Sequence, residues 1–203
     1  MKHLFIVNPV SGKGFSEERC SNGIIEAMNA AGITDYEIHI TTGPRDGYEY
    51  AKKEVLKGEK LRVYACGGDG TLYEIVNACA CHDNAEVAAY PLGSGNDFIR
   101  IFGDKRSLRN VSDHVNGTPM KFDLIKCGDQ YAINQCSMGI DAEVCAKQAD
   151  FKKLPLLSGE AAYTAALLYC FIGRMKSRFT IQIDDEEPFT SDVLFCVAGN
   201  SRW

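Results

Sequence analysis

The stretch Leu61-Arg62-Val63-Tyr64-Ala65-Cys66-Gly67-Gly68-Asp69-Gly70-Thr71-Leu72-Tyr73-Glu74-Ile75-Val76-Asn77 decides the fold. Its first part, Leu61 to Cys66, is a short apolar run of strand length. Gly67, Gly68 and Gly70 then turn the chain sharply, and Leu72 to Cys79 follows with helical spacing. Glycine lets a backbone come close to a phosphate. The N-terminus of the helix that follows offers free N–H groups and the positive end of its dipole to an anion. Asp69 stands where such an anion would be cradled. A carboxylate there suits holding Mg²⁺ or taking a proton from an attacking hydroxyl. The plainer reading makes Asp69 the helix N-cap of a tight turn.

Outward from this unit, strand-like and helix-like segments alternate. His3 to Val7 is an apolar strand ending at Asn8-Pro9, and Glu17 to Ala31 has helical spacing with Gly32 as its stop. Tyr36 to Thr41 alternates as a strand, Tyr48 to Leu56 is a helix, and Glu86 to Tyr90 is a strand closed by Pro91. This order predicts an α/β, Rossmann-like domain over residues 1–120, with a parallel sheet covered by helices on both faces. In such sheets ligands bind beyond the carboxyl ends of the strands. The glycine-bearing segments all lie there: Ser11-Gly12-Lys13-Gly14, Gly67-Gly68-Asp69-Gly70 and Gly93-Ser94-Gly95.

From Lys121 the pattern changes. Lys121 to Cys127 and Gln130 to Met138 flank Gly128-Asp129, a hairpin signal. A helix-like stretch, the apolar helix Ala161 to Ile172, and strands at Phe179 to Ile183, Phe189 and Val193 to Ala198 follow. Residues 121–203 thus read as an antiparallel β-rich second domain that is incomplete at Trp203. The Ala161 to Gly173 stretch is too short to cross a bilayer, which takes ~20 residues, and is expected to be a buried helix.

The chain has 203 residues and a formal net charge of −5, with a pI of about 5.4. That balance argues against nucleic acid as a partner. Lys52, Lys53, Lys57, Lys60 and Arg62 read as a solvated face, as do Arg100, Lys105, Arg106 and Arg109. Nine cysteines, an odd number without a C-x-x-C pair, argue against a disulfide framework. Cys66, Cys136, Cys170 and Cys196 are expected to be small buried hydrophobes in a reducing cytosol. Cys79, Cys81 and His82 make only a weak metal signal.

Two further segments carry chemistry. Asn8-Pro9-Val10-Ser11-Gly12-Lys13-Gly14 superficially looks like a P-loop but lacks both the earlier glycine and the Ser/Thr after the lysine. In Gly93-Ser94-Gly95-Asn96-Asp97, the glycines free the backbone while Ser94 and Asn96 offer hydrogen bonds to phosphate or ribose. Glu74 and Asn77 lie one turn apart on the helix after Asp69 and face either the ligand or solvent.

Together, Asn8-Pro9-x-Ser11-Gly12, Gly67-Gly68-Asp69-Gly70-Thr71-x-x-Glu74-x-x-Asn77 and Gly93-x-Gly95-Asn96-Asp97-Phe98 resemble, in order, the catalytic domain of diacylglycerol kinases, shared by bacterial lipid kinases and by sphingosine and ceramide kinases. The resemblance covers roughly Lys2 to Trp203. It implies an ATP-dependent lipid kinase using Mg²⁺, with ATP contacts at Asn8, Pro9, Val10, Ser11, Gly12, Thr42, Gly67, Gly68, Asp69, Gly70, Thr71, Glu74, Gly93, Ser94, Gly95 and Asn96. Asp69 is the candidate catalytic group. Asp69, Asp97 and Asp123 resemble the acidic residues that organise the cleft through water or Mg²⁺. Gly159 to Tyr163 resembles the family's glycine-to-tyrosine helix start. The implied partners are ATP and a membrane lipid met peripherally from the cytoplasm, and a homodimer is allowed.

Tyr73 departs from the asparagine of many bacterial members. The chain also stops before the metal-binding loop and the acidic base with which the family continues, so it is expected to be C-terminally truncated. A soluble-substrate kinase of the NAD kinase type and a non-catalytic nucleotide-binding fragment stand as alternatives.

Overall fold

The computed structural model describes residues 1–12, 16–93, 95–103, 108, 110–151, 160–172 and 176–200. Lys13, Gly14, Ser94, Lys105, Arg106, Arg109, Gly159 and Trp203, all named above, lie outside them. The chain divides into two units, Met1–Asn134 with the chain from Asn200, and Gln135–Gly199.

The first unit is built on a parallel sheet. β1 (Lys2–Val7), β2 (Tyr36–Ile40), β3 (Leu61–Gly67) and β4 (Ala85–Pro91) lie in the order β2-β1-β3-β4. In register, Phe5 sits between Ile38 and Tyr64. Every residue of β3 is buried, as a strand covered on both faces requires. Successive side chains point to opposite faces, which splits the core in two. Leu4, Ile6, Val63 and Ala65 meet Ala51 and Val55 of α2 (Asp46–Val55) and Leu72, Ile75 and Val76 of α3 (Asp69–Cys79). On the other face Phe5, Val7, Tyr64 and Cys66 meet Ile24, Ala27 and Met28 of α1 (Glu17–Ala30) and Val111 and Val115 of α4 (Val111–Val115). Fully burying an Ile or Met side chain contributes about 1.5–3 kcal/mol, so Ile24 and Met28 alone anchor α1 firmly.

Local chemistry sets the helix ends. The Ser16 hydroxyl accepts from the Arg19 N–H and starts α1. Gly68, without a side chain, is the N-cap of α3, and Asp69 is its first helical residue. The helix therefore begins inside the glycine motif, three residues earlier than its apolar spacing indicates, and Asp69 is not the cap. A 3-10 helix (Phe98–Phe102) and α4 were not legible as separate elements. Arg62 is buried rather than solvated. Its guanidinium bonds Glu86 and donates to the carbonyls of His114 and Val115, closing the C-terminus of α4.

The Gly128-Asp129 hairpin forms as β5 (Ile125–Cys127) and β6 (Gln130–Ala132). The run Gln130 to Met138 is not one strand. β6 ends at Ala132, and β7 (Gln135–Gly139) pairs instead with β10 (Phe195–Gly199) in the second unit.

In that unit β8 (Ser177–Ile181) and β9 (Phe189–Val193) form an antiparallel pair, and α5 (Ile140–Phe151) packs on α6 (Glu160–Ile172) through Val144, Ala166 and Cys170. The expected buried helix is α6, but only one face of it is covered. Leu168, Tyr169, Phe171 and Ile172 are exposed, because α5 and its neighbours cover a single stripe of this apolar helix. Cys66, Cys79 and Cys170 are buried, whereas Cys136 and Cys196 are only half-buried on their two-stranded sheet. No described helix is long and apolar enough to cross a membrane.

Candidate nucleotide-binding cleft

The carboxyl ends of β1, β2 and β3 open onto a cleft of about 1050 Å³, lined entirely by the first unit. Asn8, Pro9, Val10 and Ser11 line it after β1, Thr42 after β2, and Gly68, Gly70, Thr71 and Glu74 along the start of α3. The first N–H groups of α3 have no partner within the helix, which leaves this wall electropositive. Asn8 donates to the Thr71 hydroxyl at 3.1 Å, tying the first segment to the second.

The third segment packs behind the second. The Gly67 carbonyl accepts from the N–H groups of Leu92 and Gly93, at 2.9 and 3.1 Å. A Cβ on Gly93 would lie 2.4 Å from the Gly68 Cα, so only glycine lets the two backbones touch. Gly12 has φ +76°, and a Cβ there would meet the Leu92 carbonyl oxygen at 2.3 Å, so the first segment closes on the third in the same way. Asp69 fastens the arrangement. Its Oδ2 accepts from the Asn96 N–H at 2.8 Å and its Oδ1 from the Asp97 N–H at 2.7 Å. Gly95 lies directly beside this carboxylate. Gly67, Asp69 and Asn96 face a small hollow against Phe98 and Ile99 rather than the main cleft.

The three acidic residues expected to organise the cleft through water or Mg²⁺ have separate partners. The Asp97 carboxylate pairs with Arg100 at 3.1 Å. At Asp123 the backbone carbonyl accepts from the Asn200 amide. Among the described residues no three His, Cys, Asp or Glu side chains group to hold a metal, Cys79, Cys81 and His82 included.

Residues 2–127 match the family model described as the diacylglycerol kinase catalytic domain. The chain belongs to this family.

A diacylglycerol kinase of Bacillus subtilis strain 168 is 31% identical over 161 residues, covering 78% of this chain and 52% of that protein. A Pseudomonas putida protein named "Probable lipid kinase YegS-like" is 29% identical over 153 residues, 73% of this chain and 50% of that protein. The chain thus spans about half the length of these curated relatives. The crystal structure of a diacylglycerol kinase from Bacillus anthracis superimposes with a TM-score of 0.68 at 24% identity, covering all of this chain and 65% of that one. A second structure from the same organism gives 0.73 at 22% identity. At these identities the structures establish a shared fold.

Several residues of this diacylglycerol kinase domain that shape the cleft were not singled out in the sequence. Asp46, the first residue of α2, accepts from both the N–H and the hydroxyl of Thr42 and faces His39 at 3.2 Å. These bonds, those from Thr42 foremost, hold the Asp46 carboxyl below its ordinary range. Lys52 leaves the expected solvated face to donate to His82 at 2.9 Å in the cleft wall. Asn77, left open between ligand and solvent, lines the cleft. Its side-chain amide exchanges two hydrogen bonds with the Tyr131 backbone, at 2.9 and 2.8 Å. That exchange imitates a strand pair and fixes the β5–β6 hairpin as a cleft wall. Tyr73 joins it with a bond to Gln130 at 2.5 Å. A carboxylate four residues after a threonine is the local signal that would have found Asp46. The Asn77 contact has no local signal.

Proposed function

We propose that this chain binds MgATP in the cleft of its first unit and serves in transferring the γ-phosphoryl group to a lipid hydroxyl, diacylglycerol or a related lipid. The observation carrying the reading is the convergence of three glycine-bearing segments, with the Gly68 and Gly93 backbones in contact beside a cleft of about 1050 Å³. Family membership supports the reaction class, and the relatives' printed names support the lipid.

In this reading Asn8 to Gly12 and Gly68 to Thr71 hold the phosphates, while Thr42 and Glu74 receive the rest of the nucleotide. Magnesium comes with the phosphates as part of the substrate, since Mg²⁺ is commonly held by one or two carboxylates plus substrate oxygens. The lipid oxygen attacks in line, its bond to the γ-phosphorus forms as the bridge to the β-phosphate breaks, and ADP leaves. Such catalysis is mostly positioning and charge neutralisation. Asp69 is the proposed acceptor of the hydroxyl proton, reached past Gly68, which lines both its hollow and the main cleft. Each of its oxygens keeps a lone pair beyond the one engaged by backbone. The lipid is met at the cytoplasmic membrane surface, and residues 121–203 are proposed to contribute the acyl-chain side.

Labelled MgATP with diacylglycerol in mixed micelles tests this. Label in the lipid phase that disappears with Asp69→Asn while ATP affinity is kept supports it. ATP binding without transfer would reduce the chain to a nucleotide-binding fragment. Absence of binding would overturn the reading.

A further inference from the structure

Thr42 faces the cleft, yet its hydroxyl proton is already committed. Both donors of Thr42, the backbone N–H at 2.7 Å and the hydroxyl at 2.9 Å, point at one oxygen of Asp46, Oδ2. The other oxygen is turned to the Nε2 of His39, whose ring stacks on Tyr50 at 3.9 Å. A hydroxyl has one proton and two lone pairs. With the proton spent on Asp46, Thr42 can only accept from a ligand. Across the same turn Glu74 uses Oε1 to accept from the Arg45 N–H at 2.9 Å, and a carboxylate likewise only accepts. Arg45 holds φ 67° at the N-cap of α2, so the turn is pinned by Asp46 at one end and by Glu74 at the other.

We infer that Asp46 is a positioning residue that makes Thr42 an obligate acceptor, so that this wall of the cleft selects a nucleotide by an N–H or O–H group it presents. The inference rests on the nucleotide reading proposed above. It explains why the carboxylate starting α2 is spent on a side chain in the cleft wall and not on its own helix N-terminus. The group recognised is an exocyclic amine of the base or a ribose hydroxyl, and both present the same donor chemistry.

Calorimetric titration of the chain with MgATP decides the matter. Asp46→Ala and Thr42→Val should each weaken binding by up to about tenfold, the scale of one hydrogen bond between neutral groups. The double variant should be no weaker than either single one, because Asp46 acts through Thr42. Asp46→Asn, which keeps a carbonyl oxygen for both Thr42 donors, should restore binding to within about twofold of the unmutated chain. Independent, multiplying losses overturn the inference while leaving the nucleotide reading intact. No ATP binding by the unmutated chain overturns both. Should Asp46→Ala fail to fold, ATP analogues still decide. With the triphosphate of purine riboside, 2′-deoxy-ATP and 3′-deoxy-ATP, the penalty of Thr42→Val should vanish for the analogue lacking the donor that Thr42 reads. An undiminished penalty with all three overturns it.

Discussion

The Oδ2 oxygen of Asp69 lies 2.8 Å from the backbone nitrogen of Asn96, 27 residues further along the chain. The two glycine motifs most readily noticed in the sequence are thus one construction, with the carboxylate of the second holding the backbone of the third. Asn96 completes it from the other side. It is buried, adopts φ 57°, and donates from its side chain to the Gly93 carbonyl.

Removing the carboxylate should therefore release the third segment first. In Asp69→Ala, amide hydrogen exchange at Asn96 and Asp97 should accelerate while β3 stays protected. In Asp69→Asn, which keeps one acceptor, only one of the two amides should be freed. Unchanged exchange at both in Asp69→Ala would show that the loop holds itself.

At Asn96 the left-handed backbone and the side-chain bond make separable contributions. Asn96→Ala should cost about 1–2 kcal/mol from the strained φ plus a further loss of about 1 kcal/mol for the bond. Asn96→Gly should recover the first part alone. Urea denaturation of the two variants measures the difference, and equal losses would contradict it.

Gly93→Ala places a methyl group against the Gly68 backbone, which has no flexible end to move aside. Overpacking of this kind costs about 1–3 kcal/mol, and here it also pushes the third segment off the backbone of the second. Gly23→Ala, where a Cβ meets nothing within 4 Å, is the control. It should be neutral or slightly stabilising in helix α1. Equal melting temperatures for the two variants would contradict the close approach.

The hairpin wall depends on Asn77. Asn77→Ala removes both the donor aimed at the Tyr73 and Tyr131 carbonyls and the acceptor of the Tyr131 amide. It should expose the Tyr131 amide to exchange and weaken nucleotide binding several-fold, whereas a solvent-facing Asn77 would leave both unchanged.

Stability should also fall on mild acidification. His3 is buried against Tyr64, its Nδ1 2.7 Å from the tyrosine hydroxyl. Burial, with the neighbouring Arg62 charge second, lowers its pKa from the ordinary 6.5. The unfolded chain then binds the proton more readily. The stability is complete above that ordinary value and drains away as pH falls from there towards the depressed folded value. Glu37, Glu54 and Asp46, whose pKa values are also lowered, from ordinary values of 4.5, 4.5 and 3.8, act only in stronger acid. The urea midpoint should thus drop as pH falls below the ordinary histidine value of 6.5, and His3→Gln should flatten that drop. A flat profile in the unmutated chain would sink the assignment.

The α/β order was legible because each element depends on residues within about ten positions of itself. The buried runs of β1 and β3, the spacing of α1 and the glycine turn at Gly67 to Gly70 all carry their own periodicity. The misreadings fall where distant partners decide. Gln130 to Met138 looks continuous, but β6 and β7 pair with different strands. Arg62 looks like one of a basic cluster, but its strand position buries it beside α4.

By itself the sequence determined the strand–turn–helix units, the place of the cleft at the strand ends, and the family its motifs resemble. Those follow from local sterics, in which glycine permits a turn and apolar period selects strand or helix. The tertiary structure alone decided what each polar group in the site does. Asp69 grips a backbone 27 residues away, Asn77 one 54 residues away, and Asp46 spends the proton of Thr42. A side chain's hydrogen-bond partners are fixed by which backbones the sheet register and the touching glycines bring within about 3 Å, and no local pattern in the chain encodes that.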